Sequence, residues 1–336
     1  MVPWMERPTL RIDLAQPPER RFAQVPAEAM AAGQNLLAAV LREIPPAARL
    51  LADAVRVRTA NRFHAEVIDL AEHLGVSWRD LILANISYDL LIAQFGCSTV
   101  ALPTPRGPVL ARNMDWWPEA LLAQASYLVH CQRGDHLLFS NAGWPGAVGV
   151  VTGMSARGFG FALNAVIGPE KPSKLGYPML LHLRRVLDDA RDFDEALRKL
   201  AEQHLAVGGL ITLVGSDNAQ RVVIERTPQR HALRRPHGDE PLFATNDYRL
   251  LFQPGDRSEL ETCRTACCRY DALQEFFADH RPDRDLDDAE LLYRLSDPRV
   301  IQEITAQHII LRPRERSARL FVPRRLLLDP VAERGA

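Results

Sequence analysis

Residues 97–115 constrain this chain more tightly than any other stretch. Two short apolar, β-branched runs, Cys97–Pro103 and Pro108–Asp115, flank the turn signal Thr104-Pro105-Arg106-Gly107 and predict an antiparallel hairpin. Centring the turn near Pro105 puts position 97 opposite about position 113, which brings Arg112 and Asp115 beside Cys97 without any long-range assumption. A guanidinium lowers a thiol pKa and a carboxylate orients a donor, so the three residues form an activated thiol. The plainer reading of Cys97 alone is an inert, buried thiol at the head of a strand. What the hairpin lacks is a base. It holds no His, and Lys171, Lys174 and Lys199 are the only lysines of the chain. One remaining source is the α-amino group of Cys97 itself, exposed by scission of the Gly96–Cys97 bond. Its ordinary pKa of ~7.7–8.0 suits a base near neutrality.

The hairpin divides two kinds of sequence. Before it, helical periodicity runs over Ala27–Ile44, Arg62–Leu74 and Ser77–Gln94, with Ser77 as an N-cap and Gly75 and Gly96 as terminators. Residues 1–96 therefore read as a mainly helical block, and 97–336 as a second unit. In that unit His136–Ser140, Ala147–Met154, Gly158–Val166, Leu210–Val214, Arg221–Glu225, His308–Leu311 and Leu320–Val322 read as strands. Pro178–Leu205, Thr262–Ala278 and Ala289–Leu295 read as helices. Strands alternating in blocks with helices indicate an α+β layered domain.

Composition removes several functions. Lys+Arg 41 against Asp+Glu 42 leaves a net charge of -1, without the basic excess of a nucleic-acid binder. The five cysteines include no CxxC pair, and there is no HExxH, so neither a disulfide framework nor a metal site is expected. Cys263 and Cys267, four apart on a helix, read as a packed face. The glycines 143, 146 and 149 have the wrong spacing for a nucleotide loop, and no GxSxG elbow occurs. No cofactor is implied. The first residues lack a signal-peptide pattern and no run approaches ~18 apolar residues, so a reduced, cytoplasmic compartment is expected. The segment 81–95 is apolar nearly all round, which fits buried core or a peripheral membrane contact.

Gly96-Cys97-Ser98-Thr99-Val100 followed by Arg112-Asn113-Met114-Asp115 resembles the linear-amide hydrolases of the N-terminal-nucleophile class, which includes choloylglycine hydrolase and penicillin V acylase. The likeness is nearest to the acid ceramidase and N-acylethanolamine-hydrolysing acid amidase group. It extends to Arg11–Phe22 (RIDLAQPPERRF), Asn85–Leu90 (NISYDL), Gly146–Gly153 (GAVGVVTG), Gly158–Asn164 (GFGFALN), Thr245-Asn246-Asp247-Tyr248 and Arg264-Thr265. Each motif is short, but they occur in the family's order over roughly residues 10 to 270.

The resemblance implies a four-layer αββα sandwich. It makes Cys97 both the autocleavage residue and the nucleophile, and Gly96–Cys97 the scissile bond. Arg112 would hold the Cys97 neighbourhood and contact the substrate amide, and Asp115 would bind the freed α-ammonium. Asn246 would donate to the oxyanion, and Arg264 would close an ion-pair network with Asp115 or the substrate. Trp116, Trp117 and Trp144 are candidate walls of an acyl pocket, or plain core. The expected partner is a small N-acyl amide, most simply one with a fatty acyl chain. Two alternatives stay open: an acyltransferase of the penicillin-biosynthetic type, and a non-catalytic relative that binds a lipid or a partner. The chain departs from the group at Ala165, where relatives carry an acidic residue, and in the order Asp247-Tyr248.

Overall fold

The computed structural model describes residues 2–92, 95–252 and 261–327, and it leaves aside the side chains of residues 18, 95 and 261–264. Two sheets stack face to face. The six-stranded sheet runs β1 (Trp4–Glu6), β14 (Ser317–Pro323), β13 (Thr305–Arg312), β4 (Val109–Trp116), β3 (Phe95–Leu102), β12 (Leu242–Ala244). The eight-stranded sheet runs β11 (His231–Arg234), β10 (Arg221–Arg226), β9 (Gly209–Val214), β8 (Phe159–Asn164), β7 (Thr152–Ser155), β6 (His136–Gly143), β5 (Tyr127–Arg133), β2 (Thr9–Asp13). Named pairings are antiparallel except β2 with β5.

Helices α1 (Pro18–Arg21), α2 (Ala27–Glu43), α3 (Leu51–Arg58), α4 (His64–Leu74), α5 (Trp78–Asn85) and α6 (Ser87–Leu91) precede β3. Helix α7 (Glu119–Ala125) follows β4, α8 (Met179–Asp189) and α9 (Phe193–Glu202) lie between β8 and β9, and α10 (Glu261–Phe276) and α11 (Asp288–Leu295) between β12 and β13.

Strand alternation sorts the side chains into three apolar layers. Phe159, Phe161 and Leu163 of β8 face the helices α2, α4, α5, α8 and α9. Ala162 on the same strand meets Ala101, Leu110 and Leu311 of the other sheet. Val100, Ala111 and Ile310 face outward to Leu273 and Leu291 of α10 and α11. The result is helices, sheet, sheet, helices: a four-layer αββα sandwich. Among the described residues no helix is long and apolar enough to cross a membrane. Leu81, Ile82, Leu83 and Ile86, from the apolar segment before the hairpin, are buried in the core.

The helical segment before Cys97 also supplies an edge strand to each sheet, β1 on β14 and β2 on β5. The helix expected over Ser77–Gln94 breaks at Ile86, with φ -111 and ψ 14; Gln94 itself lies outside the described residues. The buried Asn85 carboxamide donates to Leu81 O and Gly146 O at 2.9 Å each and accepts from the N–H groups of Val148 and Gly149 at 2.7 and 2.9 Å. This hub also explains why the strand expected from Ala147 starts only at Thr152, since the backbone of 148–149 is committed to Asn85.

Candidate active site

The hairpin forms as β3 and β4, but Cys97 lies opposite Met114 rather than position 113. Side chains alternate faces, so this one-residue difference decides which partners share the thiol's face. Cys97, Thr99, Arg112 and Met114 point between the sheets; Gly96, Ser98, Asn113 and Asp115 point toward α10 and α11. Arg112 and Asp115 therefore approach Cys97 from opposite faces.

On the inner face Arg112 Nη2 lies 2.8 Å from Cys97 Sγ and 2.7 Å from Leu163 O, while Nη1 donates to Thr152 Oγ1 at 2.7 Å. Both Cys97 and Arg112 are essentially inaccessible, at 2% and 1% exposure. Burial pushes the thiol above its ordinary pKa, and the Arg112 guanidinium works against that rise while Asp115 adds to it. In the continuous chain the thiol thus lies sealed beside the cation that would stabilise a thiolate.

On the outer face Asp115 Oδ1 accepts from Thr305 Oγ1 at 2.6 Å, and Oδ2 is buried without a hydrogen-bond partner among the described residues. Burial raises its pKa, opposed by Arg269, Thr305 and Arg112. Arg269 of α10 reaches in from the outer helices. Its Nη1 donates to Cys97 O at 2.6 Å and Ser98 Oγ at 3.0 Å, and its Nη2 to Asn246 Oδ1 at 2.7 Å. Nη1 lies 4.0 Å from Asp115 Oδ2. Sequence reasoning placed this cation at Arg264, whose side chain lies outside those the structure describes. The signal for Arg269 was its phase: it falls three residues after buried Ala266 and four before buried Leu273, on the inward stripe of α10.

Asn246 closes the cluster. Its Oδ1 accepts the Cys97 backbone N–H at 3.0 Å and its Nδ2 donates to Ala165 O at 2.7 Å. An NH2 group carries two protons, so one stays available for an oxyanion. Asn164, the last residue of the GFGFALN motif, accepts from Thr99 Oγ1 at 2.7 Å and donates to Ala244 O and Thr245 O at 2.9 and 3.0 Å, tying the Asn246 loop to β8.

Trp116 and Trp144 stack edge to face, with centroids 5.5 Å apart. They line a small apolar cavity with Leu36, Leu37 and Val40 of α2. Trp117 is half-buried, precedes a cis bond to Pro118, and does not line that cavity. Among the described residues no group of His, Cys, Asp and Glu could hold a metal ion.

Residues 103–290 match the family profile described as acyl-coenzyme A:6-aminopenicillanic acid acyl-transferase. The chain is 25% identical over 218 residues to a probable acid ceramidase of Caenorhabditis elegans, covering 57% of this chain and 52% of that protein. It is 23% identical over 234 residues to an N-acylethanolamine-hydrolyzing acid amidase of the same organism, covering 64% and 66%. The matches thus span about half to two thirds of those relatives. The solved structure of the Caenorhabditis elegans N-acylethanolamine-hydrolyzing acid amidase ortholog superposes with a TM-score of 0.53 at 19% identity, over 65% of this chain and 93% of that one.

Proposed function

Because the chain belongs to the acyl-coenzyme A:6-aminopenicillanic acid acyl-transferase family, we propose that it is an N-terminal-nucleophile hydrolase of linear N-acyl amides, with Cys97 as nucleophile. The observation that carries this reading is the pairing of Arg112 Nη2 with Cys97 Sγ at 2.8 Å while Asn246 Oδ1 holds the Cys97 backbone nitrogen at 3.0 Å. Thiol, cation and future amine are already assembled in the continuous chain.

In the activating step the Cys97 sulfur attacks the Gly96 carbonyl, the C–N bond breaks, and water hydrolyses the resulting thioester. The freed α-amine stays beside Asn246 Oδ1 and takes the thiol proton. The thiolate, stabilised by Arg112, attacks the substrate carbonyl, and the second Asn246 N–H stabilises the oxyanion. The α-ammonium returns its proton to the leaving amine, and water releases the acyl group. A fatty acyl chain is favoured by the names of the ceramidase and amidase relatives.

A second reading is favoured by the family's own description: transfer of the acyl group to an amine instead of water. It uses the same residues. The test compares denatured masses of the wild type and Cys97→Ala. Two fragments split between Gly96 and Cys97 in the wild type alone support the nucleophile assignment, and a wild type that never cleaves overturns it. Product analysis with and without an acceptor amine then separates hydrolysis from transfer.

A further inference from the structure

Asn246 does not belong to a strand. It sits in the segment 245–252 that leaves β12, and its carboxamide has to be fixed in space by whatever holds that segment. Upstream, Asn164 holds the carbonyls of Ala244 and Thr245. Downstream, the grip comes from β10 of the other sheet. Glu225, whose side chain is fully buried, accepts three consecutive backbone N–H groups: Arg249 at 3.0 Å on Oε1, and Leu250 and Leu251 at 2.9 and 3.0 Å on Oε2. Its neighbour Arg226 offers its carbonyl to the Tyr248 hydroxyl at 2.7 Å. Asn246 and Asp247 are thus suspended between two clamps, both anchored in the eight-stranded sheet.

Successive N–H groups converging on one point form a concavity of positive potential, which a carboxylate fills better than any neutral group. Two oxygens and a full charge are needed to accept three donors. Gln would turn an NH2 toward one of them, and Asp would fall a methylene short. Arg234 Nε, 3.5 Å from Oε1, is the cation that accompanies the buried charge.

We infer that Glu225 is a positioning residue for the reaction: a buried anionic clamp that fixes the loop carrying Asn246, and so the acceptor of the Cys97 nitrogen and the donor to the oxyanion. This role rests on the reading of Cys97 as nucleophile. Glu225 touches no reacting atom and acts through the backbone of 249–251.

The experiment uses full-length wild type, Glu225→Gln, Glu225→Asp and Val222→Ala. Val222 is buried in the same strand, away from the loop, so its truncation weakens the fold without disturbing the clamp. The readouts are the rate of Gly96–Cys97 scission by denatured mass, kcat and KM on an activated acyl ester, and hydrogen exchange of the 249–251 amides. Glu225→Gln is expected to slow scission and lower kcat by roughly tenfold or more, with KM changed less than about twofold. It should also lose protection at 249–251. Glu225→Asp should recover part of the rate, and Val222→Ala should keep wild-type kcat. The proposal is overturned if Glu225→Gln cleaves and turns over like the wild type, or falls only as far as Val222→Ala does. A wild type that neither cleaves nor takes an acyl label overturns the nucleophile reading together with this role. An active wild type beside an unaffected Glu225→Gln overturns the role alone. If Glu225→Gln does not fold, Glu225→Asp decides: a folded protein with wild-type kcat refutes the clamp, and lowered kcat at unchanged KM supports it.

Discussion

Gly96 and Asp115 stand directly opposite each other across β3 and β4, and a Cβ added at Gly96 would lie 3.1 Å from Asp115 Oδ2 and 3.2 Å from its Cβ. Thr305 pins the other carboxylate oxygen, so the acid has little room to retreat. Gly96→Ala is therefore expected to displace either the Gly96–Cys97 peptide or Asp115. Scission should slow by about tenfold or more while the chain still folds, since a near-attack geometry tolerates little displacement. The fraction of cleaved chain over time, read by denatured mass, checks it; a rate equal to wild type refutes it.

Arg269 places a buried cation on the Cys97 carbonyl and the Asn246 carboxamide, and burial lowers its pKa against the pull of Asp115. Removing the cation leaves Asp115 buried without its nearest opposite charge on that face. In a Cys97→Ala background, Arg269→Met should lose about 3–5 kcal/mol of stability. Urea unfolding at fixed pH measures this, and a loss below about 1 kcal/mol would contradict the arrangement.

Asp89 lies eight residues before Cys97. Its Oδ1 accepts the Met179 N–H at the start of α8 at 3.1 Å, while Oδ2 is buried without a partner among the described residues. Burial raises its pKa to about 7, with the Met179 bond opposing. A raised folded-state pKa means that stability is complete below the ordinary carboxylate range and is lost as pH climbs from about 4 to about 7. The full loss corresponds to at most about 4 kcal/mol. Comparing Cys97→Ala with Cys97→Ala/Asp89→Asn at pH 5 and pH 8 isolates this share: the double variant should lose less stability between the two values. Parallel pH dependences in the two proteins would remove Asp89 as the cause.

Much of the site could be read from sequence because the hairpin is local: Cys97, Arg112 and Asp115 lie within twenty residues, and turn chemistry alone brings them together. The register was harder, since a turn centre half a residue away exchanges the two faces of β4. Arg264 and Arg269 share one helix, and only the phase of its buried residues points to the latter. Strands β1, β2, β5, β11 and β12 went unread. The parallel partners β2 and β5 are more than a hundred residues apart, so no local periodicity could announce their pairing. The Glu225 clamp was equally invisible, because three backbone amides leave no mark on the side chains of 249–251.

The strands donated to each sheet from before Cys97 bear on what scission would do to refolding. While the chain is whole, β1 and β2 are delivered to β14 and β5 by their covalent tether, and folding is unimolecular. Once Gly96 and Cys97 part, the same pairing becomes an encounter between two polypeptides, and recovery from unfolding depends on protein concentration. The cut would then commit the molecule: a cleaved chain that unfolds in dilution would have no internal route back, whereas the uncut chain would.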